Sequence, residues 1–265
     1  MTEFPPLSAS KAAWIRELVR ERKVRESERA FVMEGEKAIR ELLQRRASDL
    51  LAVVITQAAL ERPDARWEDL LDGQALPVYF AREMVFAKLS DVVNSAGILA
   101  VVRRPRWDEE KIMGRATLLG IYGESIQDPT NVGTIVRTAF GFGLDAVWLS
   151  PDSADPFNPK VVRAAAGAVL DLPIFAARQA VVFSQKQCTL LAAVRPGPDS
   201  TPIQDLTTRP PRMVLAFGNE SRGLSQATLK QADARFHIPI ASSLDSLNVA
   251  SSAAIAAFYF QSLKS

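Results

Sequence analysis

Met213-Val214-Leu215-Ala216-Phe217 runs without a polar residue and then breaks into Gly218-Asn219-Glu220-Ser221-Arg222-Gly223. A bounded apolar run that empties into a polar loop reads as a buried strand followed by a turn at its carboxyl end. A second short apolar run, Ile238-Pro239-Ile240, reads as another strand and leads into Ala241 to Asp245. Ser246-Leu247-Asn248-Val249 then opens a helix rich in Ala and Ser. Ligands of parallel α/β sheets sit beyond the carboxyl ends of strands, so two such loops side by side predict a site for a small ligand.

Working back from this stretch, the same alternation recurs. Ala116 to Tyr122 and Ala146 to Ser150 read as strands. Between them, Thr130 or Asn131 can cap a helix from Val132 to Phe140, with Asn131 and Arg137 expected on one side of its start. Lys160 to Ala168 reads as a helix carrying Lys160 and Arg163 three apart, and Pro173 to Phe175 and Thr189 to Val194 complete a sheet. The first hundred residues alternate as well. Ala30 to Met33, Leu50 to Ile55, Pro77 to Phe80 and Ile98 to Val102 read as strands, with helices through Ile39, Leu42 and Leu43 and from Arg82 to Leu89. Arg103-Arg104-Pro105-Arg106-Trp107 then reads as a linker between two α/β domains.

Composition sets limits. With 265 residues, 48% hydrophobic and 23% charged, the chain fits one large or two modest globular domains. Cys188 and His237 stand alone, which excludes an internal disulfide and the usual Cys/His zinc cages, so no metal is expected. The longest apolar run, Ala253 to Phe260, is too short to span a bilayer, and Met1 to Ser10 lacks a charged start followed by an apolar core. A cytoplasmic protein without membrane contact is expected. The net charge of +2 is small, but Arg16, Arg20, Arg22, Lys23, Arg25 and Arg29 crowd one expected helix. Glu17, Glu21, Glu26 and Glu28 partly neutralise them, so the helix is either a solvated, salt-bridged face or a phosphate-contacting arm.

Gly141-Phe142-Gly143-Leu144-Asp145-Ala146 matches a dinucleotide fingerprint in letters, yet it follows a helix and precedes a strand, the reverse of the required order. It reads as a helix stop. No P-loop and no Gly-x-Ser-x-Gly occurs, and His237 reads as structural.

Three loops remain: Asn131-x-Gly133-x-x-x-Arg137, Gly218-Asn219-Glu220-x-x-Gly223 and Ser246-Leu247-Asn248-Val249. In this order and at strand ends, the set resembles the signature motifs of the SpoU/TrmH-type RNA 2'-O-ribose methyltransferases of the SPOUT superfamily. Asp128-Pro129-Thr130 before the first loop and Gly167-Ala168 before Leu172-Pro173 extend the resemblance. Phe31-Val32-Met33-Glu34-Gly35 and Gly97 to Val102 look like the family's N-terminal substrate-binding domain. Ala250 and Ala166 stand where the family often has serine.

The resemblance implies an α/β fold. Its parts would be a ribosomal-protein L30e-like substrate-binding domain over 1–104, a linker over 105–115, and a parallel-sheet SPOUT domain with a deep trefoil knot over 116–265. It implies S-adenosylmethionine as cofactor, held by Ala216, Phe217, Gly218, Ile238, Ile240, Leu247 and Asn248, and a homodimer. It also implies ribosomal RNA as substrate, with transfer RNA, or a catalytically weak RNA-binding protein of the same fold, as alternatives. Arg16, Arg20, Lys23, Lys160 and Arg163 are the expected RNA contacts, and Arg137, Asn131 and Glu220 the catalytic set. Since an arginine ordinarily stays protonated, Arg137 either takes a proton in a desolvated pocket or holds the phosphate and stabilises the alkoxide; the second is favoured.

Overall fold

The strand Arg212–Phe217 is buried from Met213 onward because it has a parallel neighbour on each side and helices over both faces. The computed structural model describes residues 4–62, 66–71, 75–92 and 94–263. The chain divides into two units, Met1–Pro105 with Phe157–Arg163, and Arg106–Pro156 with Ala164–Ser265.

The first unit runs α1 (Ala9–Arg20), α2 (Arg22–Glu28), β1 (Ala30–Glu34), α3 (Glu36–Arg45), β2 (Leu50–Ile55), α4 (Gln57–Leu60), α5 (Trp67–Leu71), β3 (Val78–Phe80), α6 (Glu83–Phe86) and β4 (Ile98–Arg103). Among the described residues its sheet has the order β1-β4-β2-β3. β4 pairs antiparallel with β1 and β2, and β3 lies parallel to β2. Alternate strand residues, Ala30 and Val32, Ala52 and Val54, Leu99 and Val101, form one core with Ile15 and Leu18 of α1. α3 buries Ile39, Leu42 and Leu43, an i, i+3, i+4 stripe.

The basic helix expected near the start is two helices, because Glu21 adopts an extended backbone between α1 and α2. The break lets Arg25 fold back: its guanidinium is buried and donates to the carbonyls of Leu18 at 2.7 Å and Val19 at 3.1 Å. Arg25 therefore serves the open carbonyl end of α1. The helix expected from Arg82 to Leu89 is only the single turn of α6.

The second unit continues with α7 (Glu109–Met113), β5 (Leu118–Gly123), α8 (Pro129–Gly141), β6 (Ala146–Leu149), α9 (Pro159–Ala164, shared with the first unit), β7 (Ile174–Phe175), α10 (Val181–Gln185), β8 (Thr189–Ala193), β9 (Thr201–Pro202), β10 (Arg212–Phe217), α11 (Gln226–Gln231), β11 (Ala234–His237) and α12 (Val249–Ser262). The described strands order as β7-β6-β5-β10-β8-β11-β9, every pairing parallel. Tyr122, Trp148, Val214 and Ala216 pack with Phe183 on one face. On the other, Phe217, Phe236 and Phe260 stack edge to face.

Two expectations change. The segment 105–115 is more than a linker: Asp108 caps α7 through the Lys111 amide at 3.0 Å, and Ile112 and Met113 join the second unit's core. The strand expected at Ile238-Pro239-Ile240 lies one step earlier, as β11. Pro239 has no N–H to give a ladder, so the chain leaves the sheet at His237 and the two isoleucines stand beyond its end.

Candidate active site

α8 starts at Pro129, and its cap is Asp128, which accepts from the Thr130 amide at 2.8 Å, rather than Thr130 or Asn131. Freed from capping, the Asn131 side chain is buried and bridges two distant loops. Its Nδ2 donates to Glu220 Oε1 at 2.8 Å, and its Oδ1 accepts from Asn248 Nδ2 at 3.0 Å. Asn248 Oδ1 in turn caps α12, accepting from the amides of Ala250 at 2.8 Å and Ser251 at 3.2 Å. The residues after β5, after β10 and before α12 thus meet in one line of amides and a carboxylate, each with a single consistent orientation.

Beside this line lies a cleft of about 530 Å³ past the carboxyl ends of β8, β10 and β11. Phe217, Ile238, Ile240 and Leu247 give it apolar walls, Gly218 a bare backbone, and Arg195 and Asp245 polar edges. Gly218 has no room for a side chain: a Cβ there would stand 2.2 Å from the Gly223 carbonyl carbon and the Leu224 nitrogen. The loop is therefore folded back on itself, with the Asn219 and Gly223 backbones bonded in both directions at 3.1 and 2.8 Å. A cleft of this size, with apolar walls on one part, charged and polar side chains on the rest, and bare backbone at Gly218, fits a nucleoside carrying an amino-acid tail, the shape of S-adenosylmethionine.

The expected residues divide as follows. Phe217, Gly218, Ile238, Ile240 and Leu247 line the cleft. Ala216 does not; it packs in the core with Tyr122 and Phe183. Asn248 reaches the Asn131 line and not the cleft wall. Arg137 is exposed and makes no hydrogen bond or ion pair with a described residue. It does not share a side with buried Asn131, because six residues carry it about two-thirds of a turn past that position. It stands instead on the exposed side with Phe140, three residues on. Two polar residues not singled out individually from the sequence also bond into this line, Asn219 and Ser125: Asn219 Nδ2 donates to the Ser125 carbonyl at 2.9 Å and stands 3.4 Å from Glu220 Oε2. The first sat inside the quoted Gly-Asn-Glu turn, where an Asn side chain commonly bonds the backbone two residues on; the second had no local signal.

Of the expected RNA contacts, Arg20, Lys23 and Lys160 are exposed, and Arg16 is half-buried with its Nε against the Ala12 carbonyl at 3.4 Å. Arg163 is committed elsewhere: within the first unit it grips Asp91 through two bonds, at 2.5 and 3.0 Å. The Arg163 guanidinium holds the Asp91 carboxyl below the ordinary carboxylate range. A carboxylate whose pKa is lowered on folding stabilises above its unfolded pKa and loses that contribution as pH falls through the folded one. Asp91→Asn should therefore lower stability by about 1 kcal/mol at pH 7. The gap in melting temperature between wild type and variant should close as the pH is taken below the carboxylate range. A gap independent of pH would refute this.

Among the described residues no group of His, Cys, Asp and Glu could hold a metal ion, and no helix is long and apolar enough to cross a membrane.

The arrangement is a parallel α/β sheet with a cleft of nucleoside size past its strand ends and a fixed polar line at the rim, where ligands of such sheets sit. Residues 119–258 match the SpoU rRNA Methylase family, and residues 14–100 match the MRM3-like substrate binding domain. The chain belongs to the SpoU rRNA methylase family. It is 28% identical over 241 residues to the 23S rRNA (guanosine(2553)-2'-O)-methyltransferase RlmP of Bacillus subtilis, covering 91% of this chain and 92% of that one. It is 30% identical over 206 residues to the 23S rRNA (uridine(2479)-2'-O)-methyltransferase of Streptomyces viridochromogenes, covering 69% and 71%. Among solved structures, the AdoMet-bound rRNA methyltransferase from Sinorhizobium meliloti superposes with a TM-score of 0.80 at 25% identity, covering 97% of this chain and 96% of that one.

Proposed function

We propose that this protein transfers a methyl group from S-adenosylmethionine to a ribose 2'-hydroxyl of ribosomal RNA, as a homodimer in the cytoplasm. The observation that carries the reading is the line Asn248–Asn131–Glu220 at the rim of the cleft built by Phe217, Gly218, Ile238, Ile240 and Leu247. When bound there, the cofactor supplies an activated sulfonium methyl. What the chain must add is a ribose oxygen held in line and compensation of the charge that develops on it; holding two reactants in place contributes on the order of 7–11 kcal/mol. Arg137 is assigned to the phosphate and to the developing alkoxide. Because it is exposed in this chain, no desolvated wall of its own unit favours the alternative in which it takes the proton. Asn131 and Glu220 are assigned to holding the loops against one another and orienting the ribose.

Residues 1–104 are assigned to RNA binding as an L30e-like domain, with Arg16, Arg20 and Lys23, and also Lys160, as phosphate contacts. Residues 116–265 are assigned to catalysis. The knot belongs to the same proposal. It is supported by β10 lying between β5 and β8, out of chain order, and by α12 returning against α8. The homodimer is supported by a stripe of bare apolar surface on that helix pair. Phe258 is 61% exposed, Phe140 47% and Ile255 42%, and the Phe142 ring lies tilted against Phe258 with centroids 5.7 Å apart. Light scattering should give twice the 29.0 kDa chain mass for wild type and the single mass for Phe258→Asp. A monomeric wild type would remove the dimer from the account. The function itself is tested by incubating the protein with tritiated S-adenosylmethionine and ribosomal RNA lacking this modification. Label confined to one nucleotide is expected, and no label in ribosomal RNA alongside label in transfer RNA would reassign the substrate.

A further inference from the structure

Behind the rim line stands a second set of hydrogen bonds, and it starts at a strained residue. Ser125, two residues past β5, has φ 56°, a left-handed backbone that glycine adopts freely and an L-residue does not. What serine adds there is its hydroxyl, which donates to Asp152 Oδ2. The Ser125 amide donates to Ser150 Oγ at 2.8 Å, and that hydroxyl donates to Asp152 Oδ1 at 2.5 Å. Asp152 thus takes one hydroxyl on each oxygen, and these bonds hold its carboxyl below the ordinary range, so it remains an acceptor into acid solution.

With its N–H and O–H both fixed from the loop after β6, Ser125 has one group left. Its carbonyl accepts from Asn219 Nδ2 at 2.9 Å. Asn219 has no freedom to turn its amide over, because its Oδ1 already accepts from the Ser221 and Arg222 amides at 3.0 and 3.1 Å. Asn219 Nδ2 also stands 3.4 Å from Glu220 Oε2, the carboxylate whose other oxygen takes Asn131. The bonds run without a gap from Asp152 through Ser125, Asn219 and Glu220 to Asn131 and Asn248. The side-chain amides of Asn219, Asn131 and Asn248 each have one orientation that fits their partners.

We infer that Ser125 and Asp152, acting through Asn219, are positioning residues for methyl transfer: they set the orientation of the Glu220–Asn131 pair. The inference rests on the function proposed above. A role confined to folding predicts that stability and activity move together. Positioning predicts that they separate, and Ser125→Gly is the variant that separates them, since it removes the hydroxyl while relieving the backbone strain.

The test compares wild type, Ser125→Gly and Asp152→Ala by kcat on ribosomal RNA, by S-adenosylmethionine affinity in calorimetry, by melting temperature, and by the side-chain amide NMR signals of Asn131 and Asn248. For Ser125→Gly a fall in kcat of about tenfold is expected, with cofactor affinity unchanged and melting temperature unchanged or raised. The Asn131 and Asn248 amide signals should shift in both variants. Full kcat in both would overturn the inference, and so would a loss of kcat that appears only together with lost cofactor binding and lost stability. A wild type that methylates no RNA would end the functional reading instead. The amide signals would still decide the network, unmoved signals counting against it.

Discussion

Arg137→Ala is expected to reduce methyl transfer at least about a hundredfold, the scale on which removing a charge-stabilising donor acts, while leaving S-adenosylmethionine affinity unchanged. The separation follows from where the residue stands. Arg137 is exposed on α8, has no partner among the described residues, and is absent from the wall of the cleft. Neither the fold nor the cofactor site leans on it, so a loss of turnover would report directly on what it does to substrate. Arg137→Lys keeps the charge but not the planar fork that engages a phosphate through two bonds, and should recover only part of the rate. Near-normal turnover in the alanine variant, measured by single-turnover label transfer at saturating cofactor, would remove Arg137 from the chemistry.

The second large effect is expected at Gly218. A methyl group there meets the Gly223 carbonyl carbon and the Leu224 nitrogen at 2.2 Å and the Gly223 oxygen at 2.4 Å, all main-chain atoms that no rotamer change can move aside. Gly218→Ala must therefore open the 218–223 loop, and overpacking of this kind costs about 1–3 kcal/mol. The loop is a wall of the cleft proposed for the cofactor and carries both Asn219 and Glu220, so the displacement is expected to fall on cofactor binding as well as on the rim line. S-adenosylmethionine affinity should fall by about tenfold or more, with the melting temperature lowered by a few degrees. Calorimetry showing wild-type affinity would mean the loop bends away from the cleft.

Gly218 and the strand before it illustrate what is readable from order alone. The run Met213 to Phe217 could be assigned to a buried strand because a strand covered on both faces is continuously apolar, and the Gly that follows it marks where main chain meets main chain. The misplaced glycines at Gly141 and Gly143 were correctly set aside: α8 ends at Gly141, and Gly143 takes φ 70° in the turn. Periodicity failed where one residue decided the outcome. Ile238 and Ile240 look like strand residues, and only the missing amide of Pro239 moves the strand back to Ala234–His237.

Charge was the least legible property. Arg25 and Arg163 look no different in sequence from Arg20 or Lys160. One is drawn inward by carbonyls left open at the end of α1, the other by Asp91, 72 residues away. The pair Asn131 and Glu220 could be named as site residues but not as partners, since 89 residues separate them. Ser125 could not be found at all, because its strain and its bond to Asn219 exist only once the loops after β5, β6 and β10 are brought together.

The central claim is that a ribose hydroxyl is brought to the rim held by Asn131, Glu220 and Asn248. It is tested most directly by labelling ribosomal RNA with tritiated S-adenosylmethionine and digesting the product with alkali. A methylated 2'-oxygen cannot attack its own phosphodiester, so the account predicts that the label is recovered in an alkali-resistant dinucleotide. Label recovered in a mononucleotide, on the base, would contradict it.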